Sequence, residues 1–135
     1  VTLLLVGLGV LGALVFSFSG FAPTQFMVTR REYSWPAPPF SIVWNLAGTA
    51  SRLRRCWVSG LRITSGWRPA ELNALVGGHP RSRHQAGRAV DVAGPPADVQ
   101  ACVDKARDAG FTEVLHYPEK GYAHLGWGEP HGEVA

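Results

Sequence analysis

The chain has 135 residues, is 46% hydrophobic and 17% charged, and carries a formal net charge of +3. That length admits one small domain with an appendage and excludes a second sizeable core. The basic excess is mild and accompanies no nucleic-acid motif, so an anionic envelope surface or an acidic substrate suits it better than nucleic acid.

The charge is unevenly spread: no Asp, Glu, Lys or Arg precedes Arg30. Val1 to Ala22, VTLLLVGLGVLGALVFSFSGFA, is apolar or small throughout. As a helix it is about long enough to cross a ~30 Å hydrocarbon core. It is expected to be an N-terminal apolar helix acting as a transmembrane signal anchor, or else a cleaved signal peptide, with small residues at Ser17 to Ala22 but no dominant cleavage site. Arg30 and Arg31 follow the segment, which by charge alone favours a cytoplasmic C-terminal part. The chain opens on Val instead of Met, however, so the rule is applied to an end that can lack a basic n-region.

Residues 23–40 combine Pro36, Pro38 and Pro39 with spaced aromatics and read as an extended linker whose aromatics can pack on the domain. The domain itself is expected over 41–135. Ser41 can cap a helix with Ile42, Val43, Leu46, Ala47, Ala50 and Leu53 on one face, ending before Gly60. LRITSGW alternates as a strand, and RPAELNALVGG follows as a short helix, with Pro69 in its first turn and Gly77 and Gly78 as its stop. GRAVDVAG is a second strand, with Ala89 and Asp91 on one face and Val90 and Val92 on the other.

PPADVQACVDKARDAGF has the strongest helix pattern: proline at its start, Asp98 in the first turn, a stripe of Val99, Cys102, Val103 and Ala106, and Gly110 as its stop. TEVLHYP and GYAHLGW form a closing hairpin through Pro118, Glu119, Lys120 and Gly121. Helices mixed with such strands predict an α+β domain with a small, mainly antiparallel sheet and flanking helices. Cys56 and Cys102 are too far apart for a CxxC pair; they read as small buried residues, or as one disulfide if the domain is exported.

A catalytic metal site takes about three nitrogen or oxygen ligands and leaves a position open. His84, Asp91 and His124 could supply that set: Asp91 sits among valines where a carboxylate needs a partner, Gly87 lets the chain reverse between His84 and Asp91, Ala89 leaves room, and His124 shares a strand face with Tyr122 and Gly126. Spacing alone leaves caps and ordinary hydrogen bonds as the other reading of these residues.

SRHQAGRAVD, Ser82 to Asp91, matches every defined position of the SxHxxGxAxD signature and so resembles the D-alanyl-D-alanine metallopeptidase family, zinc enzymes that include carboxypeptidases, dipeptidases and phage endolysins. ITSGWRPAELNALVGGHPRS is similar to the SGYR…LN…VGG…S run of a carboxypeptidase-like branch, and GYAHLGW resembles the segment bearing the last ligand histidine. The resemblance covers roughly Ser41 to Gly128. It implies a Hedgehog/DD-peptidase-like fold, Zn2+ as cofactor, and His84, Asp91 and His124 as its ligands.

By the same resemblance Arg68 holds a substrate carboxylate or polarises the scissile carbonyl, a task suited to a planar guanidinium. Ser82 orients the ligand turn and borders the substrate. Many relatives carry an acidic residue three positions before the last histidine, where this chain has Gly121; Glu119, in a setting similar to YYE of the Hedgehog domain, becomes the expected general base. Gly126 replaces a second acidic residue, two places after His124, and His116 is a possible extra proton carrier. His79 and His131 are expected to have no specific role.

The implied activity is zinc-dependent hydrolysis of peptide bonds in peptidoglycan stems, as a D-Ala-D-Ala carboxypeptidase or endopeptidase, in the periplasm or cell envelope, with the N-terminal segment as a membrane anchor if it is not cleaved. The alternative is a zinc-stabilised, catalytically degenerate domain that binds cell-wall peptide.

Overall fold

The computed structural model describes residues 20–27 and 33–130. Most of the apolar segment expected at 1–22 lies outside these residues, as does His131; among the described residues no helix is long and apolar enough to cross a membrane. Three helices, α1 (Phe40–Cys56), α2 (Ala70–Leu75) and α3 (Pro96–Ala106), accompany four strands, β1 (Arg62–Ser65), β2 (Ala89–Ala93), β3 (Glu113–Tyr117) and β4 (Tyr122–Gly126). The strands form one antiparallel sheet in the order β1-β2-β4-β3. This is the α+β architecture expected from the sequence.

Strand periodicity separates two faces. Val90 and Val92 of β2, Ala123 and Leu125 of β4 and Ile63 of β1 join one hydrophobic core with Leu46, Ala50 and Leu53 of α1 and Val99, Cys102 and Ala106 of α3. Burying each large aliphatic side chain contributes about 1.5–3 kcal/mol, so this face anchors the sheet. Cys56 and Cys102 meet where α1 packs on α3 as buried free thiols, with their sulfurs 3.3 Å apart. The opposite face of β2 and β4 carries Asp91 and His124.

Two expected boundaries shift. Ser41 lies inside α1 and is not its cap: Pro39, at φ −57° and ψ 154°, ends the extended approach, and its carbonyl accepts from the N–H groups of Ile42 and Val43. The stretch expected to be linker is partly folded. Pro23–Phe26 forms a 3-10 turn, Phe26 is fully buried, and its carbonyl accepts from the Trp67 N–H at 2.7 Å. Gly66 permits that approach, since a Cβ there would lie 2.4 Å from the Phe26 carbonyl oxygen. Residues 33–39 form no regular secondary structure, and Trp35 packs against the core.

A polar ridge on α1 ties the helix to the open face. Asn45 donates to the Ala86 carbonyl at 2.9 Å, and Thr49 donates to the Gly87 carbonyl at 2.7 Å. Thr49 Oγ1 also accepts from Trp127 Nε1 at 2.8 Å, and the Arg52 guanidinium stacks 3.8 Å over the Trp127 ring. These residues are three or four apart and therefore share a helix face. Gly48 makes room for the indole; a Cβ there would come within 2.8 Å of it. Thr49→Val keeps the side-chain shape but leaves a buried carbonyl and an indole N–H without this partner. It is expected to lower unfolding stability by about 1–3 kcal/mol, read from urea denaturation; an unchanged midpoint would show that the tie contributes nothing.

Candidate metal centre

The ligand turn is built by local chemistry. Ser82 Oγ accepts from the His84 N–H at 3.2 Å and so starts the 3-10 turn Arg83–Ala86, and Gly87 ends it in the left-handed region at φ 74°. A side chain at Gly87 would be strained by that φ and would lie 3.2 Å from the Ile42 carbonyl oxygen. The turn delivers His84, which is 2% exposed, beneath β2. Asp91 on β2 pairs in register with His124 on β4.

Ligand-type atoms of His84, Asp91 and His124 all lie within 4.8 Å of one another. His84 Nε2 is 3.1 Å from Asp91 Oδ1 and 3.2 Å from His124 Nδ1, and His124 Nδ1 is 3.0 Å from the same Oδ1. The outer ring nitrogens determine what those inner atoms offer. His84 Nδ1 is 2.7 Å from the Gly66 carbonyl, which can only accept, and His124 Nε2 is 2.6 Å from Glu113 Oε1, a carboxylate. Each histidine therefore places its proton on the outer nitrogen. In the neutral rings the inner nitrogens are bare lone pairs, so three acceptors converge with no donor between them. Only a proton or a cation satisfies that arrangement, and the donor set of two imidazoles and one carboxylate fits a borderline metal ion such as zinc.

Arg68 secures the other carboxylate oxygen. Its Nη2 lies 3.4 Å from Asp91 Oδ2, its Nη1 donates to Asn73 Oδ1 at 3.3 Å, and its Nε donates to Ser65 Oγ at 2.9 Å. Ser65 reaches this position through a register shift between Ile63 and Ser65, which sets Ser65 opposite Asp91 instead of continuing the core face. Asn73, 3% exposed, also donates to the His79 carbonyl at 2.8 Å. Gly78 leaves the space they need, because a Cβ there would be 2.1 Å from Asn73 Oδ1.

The charges respond to this packing. Burial raises the Asp91 pKa, but its close contacts with the His124 and His84 rings outweigh it and hold the carboxyl well below the usual range. Burial lowers the His84 pKa and prevails over its contact with Asp91. For His124 burial again lowers, yet Asp91 and Glu113 together raise the pKa above the ordinary imidazole value.

A cleft of about 690 Å3 opens over the three residues, lined also by Arg68, His79, Arg81 and Arg83 and by Leu115, Tyr117 and Tyr122. Of the expected site residues, the fold brings together His84, Asp91, His124, Arg68 and Ser82. It does not bring His116 there: Glu113, Leu115 and Tyr117 face the cleft in register with Gly126, His124 and Tyr122, so His116 projects to the opposite face, paired with the core residue Ala123. Glu119 sits exposed on the 3-10 turn Pro118–Lys120, outside the cleft lining; the stacked pair Tyr117 and Tyr122, with centroids 4.9 Å apart, closes the strands before that turn begins. His79, expected to be idle, lies on the rim. Sequence reasoning missed Asn73 and Glu113. Cross-strand counting outward from the Tyr117/Tyr122 closure leads to Glu113 opposite Gly126, and Asn73 stands at the LN of the SGYR…LN…VGG run, which marks the position without its role.

An α+β domain whose open sheet face gathers two histidines, an aspartate and an arginine in a cleft has the architecture of a metal-dependent hydrolase. The family model of Peptidase M15 matches residues 20–126, most of the chain, and the protein belongs to that family. No curated protein matches it.

In the metal-free protein the His84 ring is expected to titrate below about 6.5 and the His124 ring above it. The raised His124 value contributes stability that is fully present below about 6.5 and is lost as pH rises through the folded value. Imidazole NMR titration checks the order, and the reverse order would contradict the balance of burial against carboxylate contacts at the two rings. Adding zinc should abolish both titrations.

Proposed function

We propose that the protein is a zinc-dependent peptidase that hydrolyses a peptide bond in peptidoglycan stem peptides, as a D-Ala-D-Ala carboxypeptidase or endopeptidase. The observation that carries this is the convergence of three proton-free acceptor atoms at the floor of a cleft, in a chain of the Peptidase M15 family. His84, Asp91 and His124 would hold the ion. Zinc, when bound in such a site, supplies a Lewis acid for the carbonyl and a water whose pKa falls to about 7.

The chain's own groups account for substrate placement. Arg68 commits three of its five N–H groups to Ser65, Asn73 and Asp91 and so retains donors for a substrate carboxylate or a developing oxyanion. Its orientation is fixed before substrate arrives, which avoids reorganisation during the reaction. The arginine-rich rim favours an anionic peptide, and Leu115, Tyr117 and Tyr122 offer the apolar surface on which short side chains and backbone can lie. Work at the cell envelope, with Val1 to Ala22 as an anchor or export signal, suits both that substrate and the apolar segment.

The second reading, a domain that binds cell-wall peptide without cutting it, gains support from the cleft's carboxylates. The two that line it are Asp91, facing both histidines, and Glu113, engaged with His124 and Arg83; Glu119 lies outside. Mass spectrometry of purified peptidoglycan after incubation with the zinc-loaded full chain separates the readings. A fragment made by the wild type and lost in His84→Ala establishes the peptidase and identifies the bond; no fragment from protein shown to hold zinc favours the binding domain. If cleavage occurs, Arg68→Ala is expected to reduce kcat/KM by about 10²–10³.

A further inference from the structure

Gly126 of β4 stands directly across from Glu113 of β3. The Glu113 side chain uses the space over this glycine: a Cβ at position 126 would lie 3.0 Å from Glu113 Oε1 and 3.3 Å from His124 Nε2. Oε1 receives the His124 Nε2 proton at 2.6 Å, while Oε2 accepts from Arg83 Nη1 at 2.8 Å. Arg83 in turn donates from Nε to the Gly128 carbonyl at 3.0 Å. Arg83 immediately precedes His84 in the ligand turn, and Gly128 follows β4. The carboxylate therefore closes a bridge from the backbone that carries one candidate ligand histidine to the ring of the other.

We infer that Glu113 is a positioning residue for the metal: it sets the tautomer and ring angle of His124, and with Arg83 it locks the spacing of His84 and His124. This role rests on the reading of the three-residue centre as a metal site. Glu113 does not contact the cluster centre, because it meets only the outer nitrogen of His124. Its carboxylate fixes which His124 nitrogen keeps the proton, leaving Nδ1 free for a cation, and a charged acceptor on that proton makes the ring a stronger donor to metal. The negative charge is essential to that effect, and Gly126 leaves room for it, since a Cβ there would crowd both the carboxylate and the Arg83 side chain at 3.0 Å.

The test measures metal binding by the full chain. Zinc affinity by competition with a chromogenic chelator should fall about 10–100-fold in Glu113→Ala, and the visible absorption of the cobalt-substituted protein should change in position or intensity. Glu113→Gln keeps the size and an acceptor oxygen but loses the charge; it should lose part of the affinity and carries the test if Glu113→Ala fails to fold. In the Glu113→Ala background, Gly126→Asp places a carboxylate within reach of His124 Nε2 and should recover part of both signals.

Wild-type zinc affinity and cobalt spectrum in Glu113→Ala and Glu113→Gln would overturn the inference. A loss that Gly126→Asp does not recover would also overturn it, leaving Glu113 a structural residue of the hairpin. A wild-type chain that binds neither ion would overturn the metal reading and, with it, this inference.

Discussion

Two imidazole nitrogens and a carboxylate oxygen stand 3.0 to 3.2 Å apart, with no proton assigned to any of them in the neutral rings. Lone pairs at that distance repel, so the rest of the domain has to hold them against one another until a cation or a proton arrives. Gly66 and Glu113 create the problem by drawing the ring protons outward. The β2 and β4 register, the 3-10 turn and the Arg68 contact to Oδ2 sustain it. The same surroundings explain why the pKa values of the two histidines shift in opposite directions although they share a partner: His84 is almost wholly enclosed, whereas His124 has a second carboxylate.

The helices contribute more than a hydrophobic backing. Asn45, Thr49 and Arg52 reach from α1 past the core to the end of the ligand turn and to Trp127, just after β4. One face of one helix thereby fixes both segments that bring histidines to the site. Buried hydrogen bonds of this kind contribute modest net stability but impose a high cost on alternative packings, where a carbonyl or an indole N–H would be left unmatched. The apolar stripe of α1 determines that it packs; its polar ridge determines in what register.

Much of this was legible in the sequence because local rules were sufficient. The helices follow from apolar periodicity and from proline and glycine punctuation, and the SRHQAGRAVD turn follows from a serine cap, a left-handed glycine and an alternating strand. His84, Asp91, His124 and Arg68 were found by that route together with the family resemblance. Cross-strand relations were harder to read. His116 looked available because it is close to the site in sequence, but a one-residue step along β3 turns it to the core face. Glu113 looked like the start of a strand and nothing more until pairing set it over Gly126. Phe26 was missed because burial of a residue in an irregular segment depends on what folds against it, and the role of Asn73 was missed because a polar side chain on a short helix becomes buried only when Arg68 and the His79 carbonyl close on it.

The strand order β1-β2-β4-β3 has a consequence for how the protein would acquire an ion at this site. His84 and Asp91 are near neighbours in the chain, but His124 joins them only through the pairing of β4 with β2, across the intervening α3 and β3. A partly folded chain therefore offers two ligands and the complete domain offers three. Since affinity grows with each ligand held in place, an ion bound there would favour the finished fold over its precursors and would stabilise it more than them. Metal retention would then report that the longest-range strand pairing, β2 with β4, has been made.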